Sequence, residues 1–398
     1  MPRFLVAGYG PSLLASFGYG AVIPMLAIQA RSLGASVGLA ALIAALTGIG
    51  QVVGDLPAGV LAARFGERRA LAGACLIDGV ALLAVFFVHN LWVFALLVLV
   101  DGLMGSVFGL ARQTFLTVVV PIKWRARAMS SLGGIFRVGG FLGPLAGAAI
   151  THQHGLPAAF LLAGCMSLSA AVVTLFMPDV PTDQPPTSTA AASPGGPGIT
   201  IWSVLYAHRR TLLTIGWGAL SVMLVRAARQ VYIPLWCNAH GISPAATNLI
   251  YAASMAAEVL LFFPGGIIMD RLGRWWVTVP TIAAMASFFA ILPLSHTAWT
   301  IAAFSFLLGV GNGLSSGTVM TLGADISPPV GRAQFLAGWR VFCDIGSAIG
   351  PLVISVVAAL ASLAAAAWVL AAIGWAGAFH LGHMLPRRGH LPPSQPLP

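Results

Sequence analysis

The sequence predicts an all-α polytopic membrane protein, with twelve transmembrane helices arranged as two pseudo-symmetric six-helix bundles. Three observations carry this. The composition is 58% apolar and 8% charged, with a mean hydropathy of +0.92, whereas a soluble globular chain carries roughly 25% charged residues. Apolar runs of about twenty residues recur along the whole chain, each enough to cross a hydrocarbon core of about 30 Å. The chain is also written twice: Pro57-Ala58-Gly59 and Arg64-Phe65-Gly66 recur 207 positions later as Pro264-Gly265-Gly266 and Arg271-Leu272-Gly273. At the same offset Pro121 and Arg125 recur as Pro328 and Arg332, and Gly143-Pro144 as Gly350-Pro351.

Cutting at charged and turn-forming residues places the spans at 4–29, 37–62, 70–88, 91–120, 128–151, 157–177, 210–237, 244–269, 277–294, 299–323, 333–359 and 362–385. The first run is longer than a signal peptide and lacks a small-x-small cleavage site, so it reads as a retained helix. Between spans six and seven the composition turns to Pro, Thr, Ser, Ala and Gly, which cannot bury enough apolar surface to order itself. The expected organisation is therefore an N-terminal bundle over 1–177, a flexible cytoplasmic linker over 178–209, a C-terminal bundle over 210–385 and a disordered tail over 386–398. Within spans five and ten, glycine is dense enough to let helix backbones approach closely.

The net charge of +10 is topological. The arginines fall at alternate connections, among them Arg64, Arg68, Arg125, Arg209, Arg271, Arg274 and Arg332, with Arg31 alone on the other side. That asymmetry puts both termini in the cytoplasm of a bacterial-type inner membrane. No basic face with interleaved aromatics offers itself to a nucleic acid. Cys75, Cys165, Cys237 and Cys343 stand singly in apolar runs, and His152-Gln153-His154 supplies only two ligands in a short loop, so neither a redox pair nor a metal site is expected. There is no His-Glu-x-x-His, no Asp-rich loop and no phosphate-cradling Gly-Lys-Thr/Ser. An enzyme and direct ATP coupling are excluded on that ground, and a duplicated bundle of this period points to secondary transport with no cofactor.

Two further motifs carry a family resemblance. The loop Gly59-Val60-Leu61-Ala62-Ala63-Arg64-Phe65-Gly66-Glu67-Arg68-Arg69, and its better second copy with Gly266, Asp270, Arg271, Gly273 and Arg274, resembles the loop signature of the major facilitator superfamily. The first copy has Ala63 where the signature has an acid. The second copy, which has Asp270, is expected to form the stronger latch, with Asp325 and Arg332 of the next cytoplasmic loop as partners for its charges. In span five, Gly139, Gly143, Pro144 and Gly147 resemble the antiporter motif of the superfamily's drug:proton exporters, with Ala148 and Ser130 departing from it. Arg112 is similar to that group's membrane arginine. The resemblance covers essentially the whole chain and implies alternating access driven by a proton gradient.

Ten ionisable residues lie inside the spans: Asp55, Asp78, Asp101, Glu258, Asp344, Arg112, Arg137, Arg226, Arg229 and Arg340. Each would cost about 2.5–3.5 kcal/mol facing lipid at a helix centre, so each is expected to face protein or water. The resemblance implies that spans two and eleven, and five and eight, meet across the halves. Matching depths then suggest interhalf pairs Asp55 with Arg340 and Arg137 with Glu258, with Asp344 nearby. The resemblance also implies that spans one, four, seven and ten line the cavity. That makes Arg112, Arg226, Arg229, Tyr19 and Tyr232 substrate-cavity candidates, and Asp55, Asp101 and Glu258 proton-coupling candidates. Asp78, on the usually peripheral span three, is expected to be structural. The aromatics Phe17, Phe108, Phe115, Trp217 and Trp236 form a stripe that packs helices or clasps an apolar ligand. The expected function is proton-coupled export of drug-like or amphipathic molecules by a monomer; the excess of arginines leaves an organic-anion facilitator or exchanger as the alternative.

Overall fold

A computed structural model describes residues 2–120, 122–176, 201–328 and 331–387. The expected tail beyond 387, residue 177 and most of the expected linker, 178–200, lie outside the described residues. Regular structure among the described residues is helical throughout. The N-terminal half holds α1 (Pro2–Ser32), α2 (Val37–Phe65), α3 (Glu67–Val85), α4 (Leu91–Val119), α5 (Ile122–His154) and α6 (Ala158–Leu175). A short α7 (Ile201–Ala207) precedes α8 (Arg209–Ala239), α9 (Pro244–Leu272) and α10 (Arg274–Ile291). The chain closes with α11 (Ala298–Leu314), α12 (Thr318–Ile326), α13 (Arg332–Leu360) and α14 (Leu363–Met384).

Eleven segments among the described residues are long and apolar enough to cross a membrane. Helix α3 falls short of that measure because it carries Glu67, Arg68, Arg69 and Asp78, yet it must cross to join the end of α2 to the start of α4. Side-chain caps start the helices at one end of the molecule: Ser36, Asn90, Ser243, Thr297 and Ser362 each accept from a backbone N–H of the first turn. At the opposite, arginine-rich end the chain passes from α2 to α3 and from α9 to α10 through one residue, Gly66 or Gly273. Their φ of +81° and +99° belong to the region that favours glycine. These glycines are the loop motif's contribution to the fold.

The two halves repeat one packing scheme. Helix α1 packs on α5, α2 on α4 and α3 on α6; α8 packs on α13, α9 on α11 and α10 on α14. The offset of 207 persists in atomic detail. A Cβ on Gly102 would stand 2.2 Å from the Thr47 carbonyl oxygen, and one on its counterpart Gly309 would stand 2.2 Å from that of Ser254. The antiporter-like glycines work the same way: Gly139 and Gly143 meet α1 at Ser16 and Phe17, as Gly346 and Gly350 meet α8 at Leu220 and Leu224. Small residues are thus what lets these backbones touch.

Two elements differ from expectation. The tenth span is broken at Ser315–Gly317 into α11 and α12. The end of the expected linker is helical: α7 docks on α13, with Leu205 over Gly338 and Val204 beside Gly331.

The cores show how the halves meet. Away from the arginines, a single apolar cluster runs through both halves, from Met25 and Ile43 to Tyr232 and Ile354. There the Ser355 hydroxyl donates across the interface to the Gly38 carbonyl at 2.7 Å. At the basic end the buried apolar residues fall into separate clusters, each confined to one half.

Candidate functional site

A cavity of about 340 Å³ lies almost wholly within the N-terminal half. Helices α1 to α6 all contribute, and Gln230 of α8 closes it from the other half. Its polar lining is Tyr19, Gln51, Asp78, Asp101, Arg112 and Ser167, and Phe108 and Phe136 form apolar walls. Asp101 and Asp78 face one another across α3 and α4, and Ser167 of α6 donates to Asp78 Oδ2 at 2.7 Å. Arg112 lies eleven residues along α4 from Asp101, about 16 Å nearer the basic end. Its guanidinium carbon sits 5.2 Å from the Phe108 ring centre and 5.5 Å from that of Phe136, close enough for cation–π attraction. Its Nε and Nη1 are buried without a hydrogen-bond partner.

Two of the five cavity candidates, Tyr19 and Arg112, line this cavity together with the coupling candidate Asp101, and the other three cavity candidates lie elsewhere. Arg229, 1% exposed, pairs with Glu258 and also donates to Ser254. Arg226 donates to the carbonyl and hydroxyl of Ser315, so its charge sits where α11 breaks and its last carbonyls lack helical partners. Tyr232 is fully buried, stacked on Trp236 and edge-on to Phe289. Of the wider aromatic stripe only Phe108 joins Tyr19 in the lining, while Trp217 is 53% exposed.

The expected interhalf ion pairs are also arranged differently. Glu258 takes Arg229 of its own half, because α8 and α9 bring that guanidinium against it, and Arg137 instead lies 4.1 Å over the Phe262 ring and donates to Ser316. Arg137 still bridges the halves, through an aromatic and a hydroxyl, and remains in electrostatic reach of Glu258. Arg340 pairs with Asp344 one turn along α13 at 3.5 Å and reaches Gln113 across the interface at 3.4 Å. An acid at i+4 on the same helix is geometrically nearer than one on another helix. Asp55 accepts from Ser106 at 2.6 Å and faces Asp344. At the basic end Arg274, the first residue of α10, pairs with Asp325 of α12 at 2.8 Å, while Asp270 and Arg332 are exposed. Arg68 donates to the Leu175 carbonyl at the end of α6. Among the described residues no cluster of three or more metal-ligating side chains occurs.

Asp78 is the residue that sequence reasoning misplaced: it lines the cavity. The signal was present in the repeat, since 207 positions on from Asp78 and Asp101 stand Met285 and Leu308.

Comparison with known proteins fits this architecture. The model of the Major Facilitator Superfamily matches residues 12–240 and 217–397. The chain belongs to that superfamily: it is an integral membrane transporter and not an enzyme. It is 24% identical over 349 residues to YfkF of Bacillus subtilis, described as an uncharacterized transporter of this superfamily, covering 85% of this chain and 84% of that one. It is 24% identical over 340 residues to the multidrug resistance protein MdtG of Salmonella arizonae, covering 83% and 81%. Among solved structures, the nucleoside transporter NupG superimposes with a TM-score of 0.74 at 16% identity, covering 96% of this chain and 99% of that one. A D-xylose–proton symporter does so with 0.71 at 14%, covering 96% and 97%. These two likenesses concern the fold.

Proposed function

We propose that the protein exports drug-like, amphipathic molecules in exchange for protons. The observation that carries this reading is the cavity itself, in which the intramembrane carboxylate Asp101 stands beside the apolar and aromatic surfaces of Tyr19, Phe108 and Phe136. Apolar walls bind without strict geometry, while a carboxylate out of bulk water changes charge with its protonation and so links ligand binding to the proton gradient. Of the three coupling candidates Asp101 fits best, because Glu258 is held by Arg229 and Asp55 lies outside the cavity lining. Similarity to MdtG supports the same direction.

The organic-anion alternative rested on cavity arginines, and two of those, Arg226 and Arg229, are engaged within the C-terminal half. The shared core at one end and separate cores at the other fit a conformation closed outside and parted toward the cytoplasm. In this reading the basic end and both termini face the cytoplasm of the inner membrane, and the monomer is the working unit.

The test is flux by purified protein in liposomes with an imposed pH gradient, using a panel of lipophilic cations, neutral amphiphiles and organic anions. Extrusion of a cation or neutral amphiphile that collapses with the gradient supports the reading. Gradient-independent exchange of an anion overturns it.

A further inference from the structure

The duplication gives this protein an internal control. Where the C-terminal half has Met285 and Leu308, each at most 2% exposed, the N-terminal half has Asp78 and Asp101 around open space. The packing at this level is otherwise matched, as Gly102 and Gly309 show in their equal approach to Thr47 and Ser254. Two apolar side chains therefore satisfy this fold at this place, and the two acids serve something other than packing.

Their surroundings say what. Among the described residues the titratable and charged groups around the pair are Tyr19 of α1, Cys75 of α3 and Arg112 of α4; α2 adds Thr47 and Gln51, and α6 adds Ser167. Among the described residues lining the cavity the one cation, Arg112, lies three turns of α4 from Asp101, with its charge shared between two rings. Asp78 Oδ1 is buried with no hydrogen-bond partner. Two facing carboxylates with no adjacent cation repel one another when both are ionised.

We propose that Asp78 and Asp101 form one site that holds either a single shared proton or the positively charged head of an organic monocation, whose apolar body lies along Phe108 and Phe136. When the cation binds, the carboxyl O–H bond breaks and the proton leaves to water. The pair then carries two negative charges, one of which the ligand neutralises. The site rests on the proton-exchange reading above and adds to it the residue Asp78, the exchange of one proton per ligand and a cationic ligand class.

The test uses full-length purified protein and tetraphenylphosphonium as probe. Binding is measured by equilibrium dialysis, and proton release by a pH indicator in weakly buffered detergent solution. The expected result is release of about one proton per bound cation in the unmodified protein. Release should be lost, and affinity should fall at least tenfold, in Asp78→Asn and in Asp101→Asn. Asp78→Met with Asp101→Leu copies the C-terminal half and provides a second, fold-compatible variant. Infrared difference spectroscopy of the unmodified protein reads the site directly: a protonated-carboxyl band should vanish on adding the cation. Binding without proton release, release unchanged in the Asp78 variants, or a carboxyl band that persists would overturn the assignment. Flux separates the two proposals: gradient-driven extrusion with release untouched by Asp78 sinks this site alone, while intact release without gradient-driven flux sinks the export reading alone.

Discussion

The buried pair Arg229–Glu258 shows how a charge in a membrane helix becomes structural. Both side chains are nearly inaccessible, at 1% and 9%, so each is the other's substitute for water, with Ser254 as a further acceptor for the arginine. Removing one partner leaves an isolated buried charge, whereas removing both leaves only a packing change. We expect Arg229→Met to destabilise the protein by about 3–5 kcal/mol, read as a lower thermal unfolding midpoint in detergent. The double variant Arg229→Met with Glu258→Gln should recover most of that loss. An unchanged midpoint in the single variant would show that the pair is not holding the bundle. Both residues were legible in the sequence as intramembrane charges. Their partnership was not, because it depends on which faces of α8 and α9 are turned together.

At the scale of elements, α5 tests the glycine argument within one helix. A Cβ at Gly143 would stand 2.2 Å from the Phe17 carbonyl oxygen, while one at Gly134 would meet nothing within 4 Å. Gly143→Ala should force α1 and α5 apart at a cost of about 1–3 kcal/mol, lowering the yield of monodisperse protein. Gly134→Ala should leave that yield unchanged; equal yields in both variants would refute the close approach. The junction of α7 and α8 gives a pH dependence. His208 is buried edge-on against Phe335 with ring centres 5.7 Å apart, and burial lowers its pKa below the ordinary 6.5. As pH falls through about 6.5 the unfolded chain takes up this proton before the folded one, so stability drops with acidification. Between about pH 7.5 and 5.5 the thermal midpoint should fall further in the unmodified protein than in His208→Phe. Equal slopes would remove His208 from the account. The break between α11 and α12 was hidden in the sequence because Ser315, Ser316 and Gly317 also occur inside intact membrane helices. Here Arg226 and Arg137 supply the donors that the interrupted carbonyl and hydroxyls accept.

At the scale of the whole molecule, the two bundles share one apolar core at one end and keep separate cores at the other. Transport by alternating access requires that shared contact to open. Near it, a Cβ on Gly48 of α2 would lie 3.7 Å from the Ala348 Cβ of α13, within the span of about 3.5–4.5 Å that a disulfide bridges. With the four native cysteines replaced, Gly48→Cys with Ala348→Cys should crosslink under oxidant and stop flux in liposomes, and reductant should restore it. Undiminished flux in the crosslinked protein would show that the halves do not part there.

The sequence by itself determined the solvent, the number of crossings and the repeat, because hydropathy and a constant offset are properties of the chain read in one dimension. It also fixed the one-residue turns at Gly66 and Gly273, since those are local backbone requirements. Only the tertiary structure decided which charges meet. Asp78 joins Asp101 on a cavity and Glu258 takes Arg229, because both meetings depend on separations of a few ångströms between helices whose residues lie tens of positions apart in the chain, while Arg340 turns to Asp344 of its own helix.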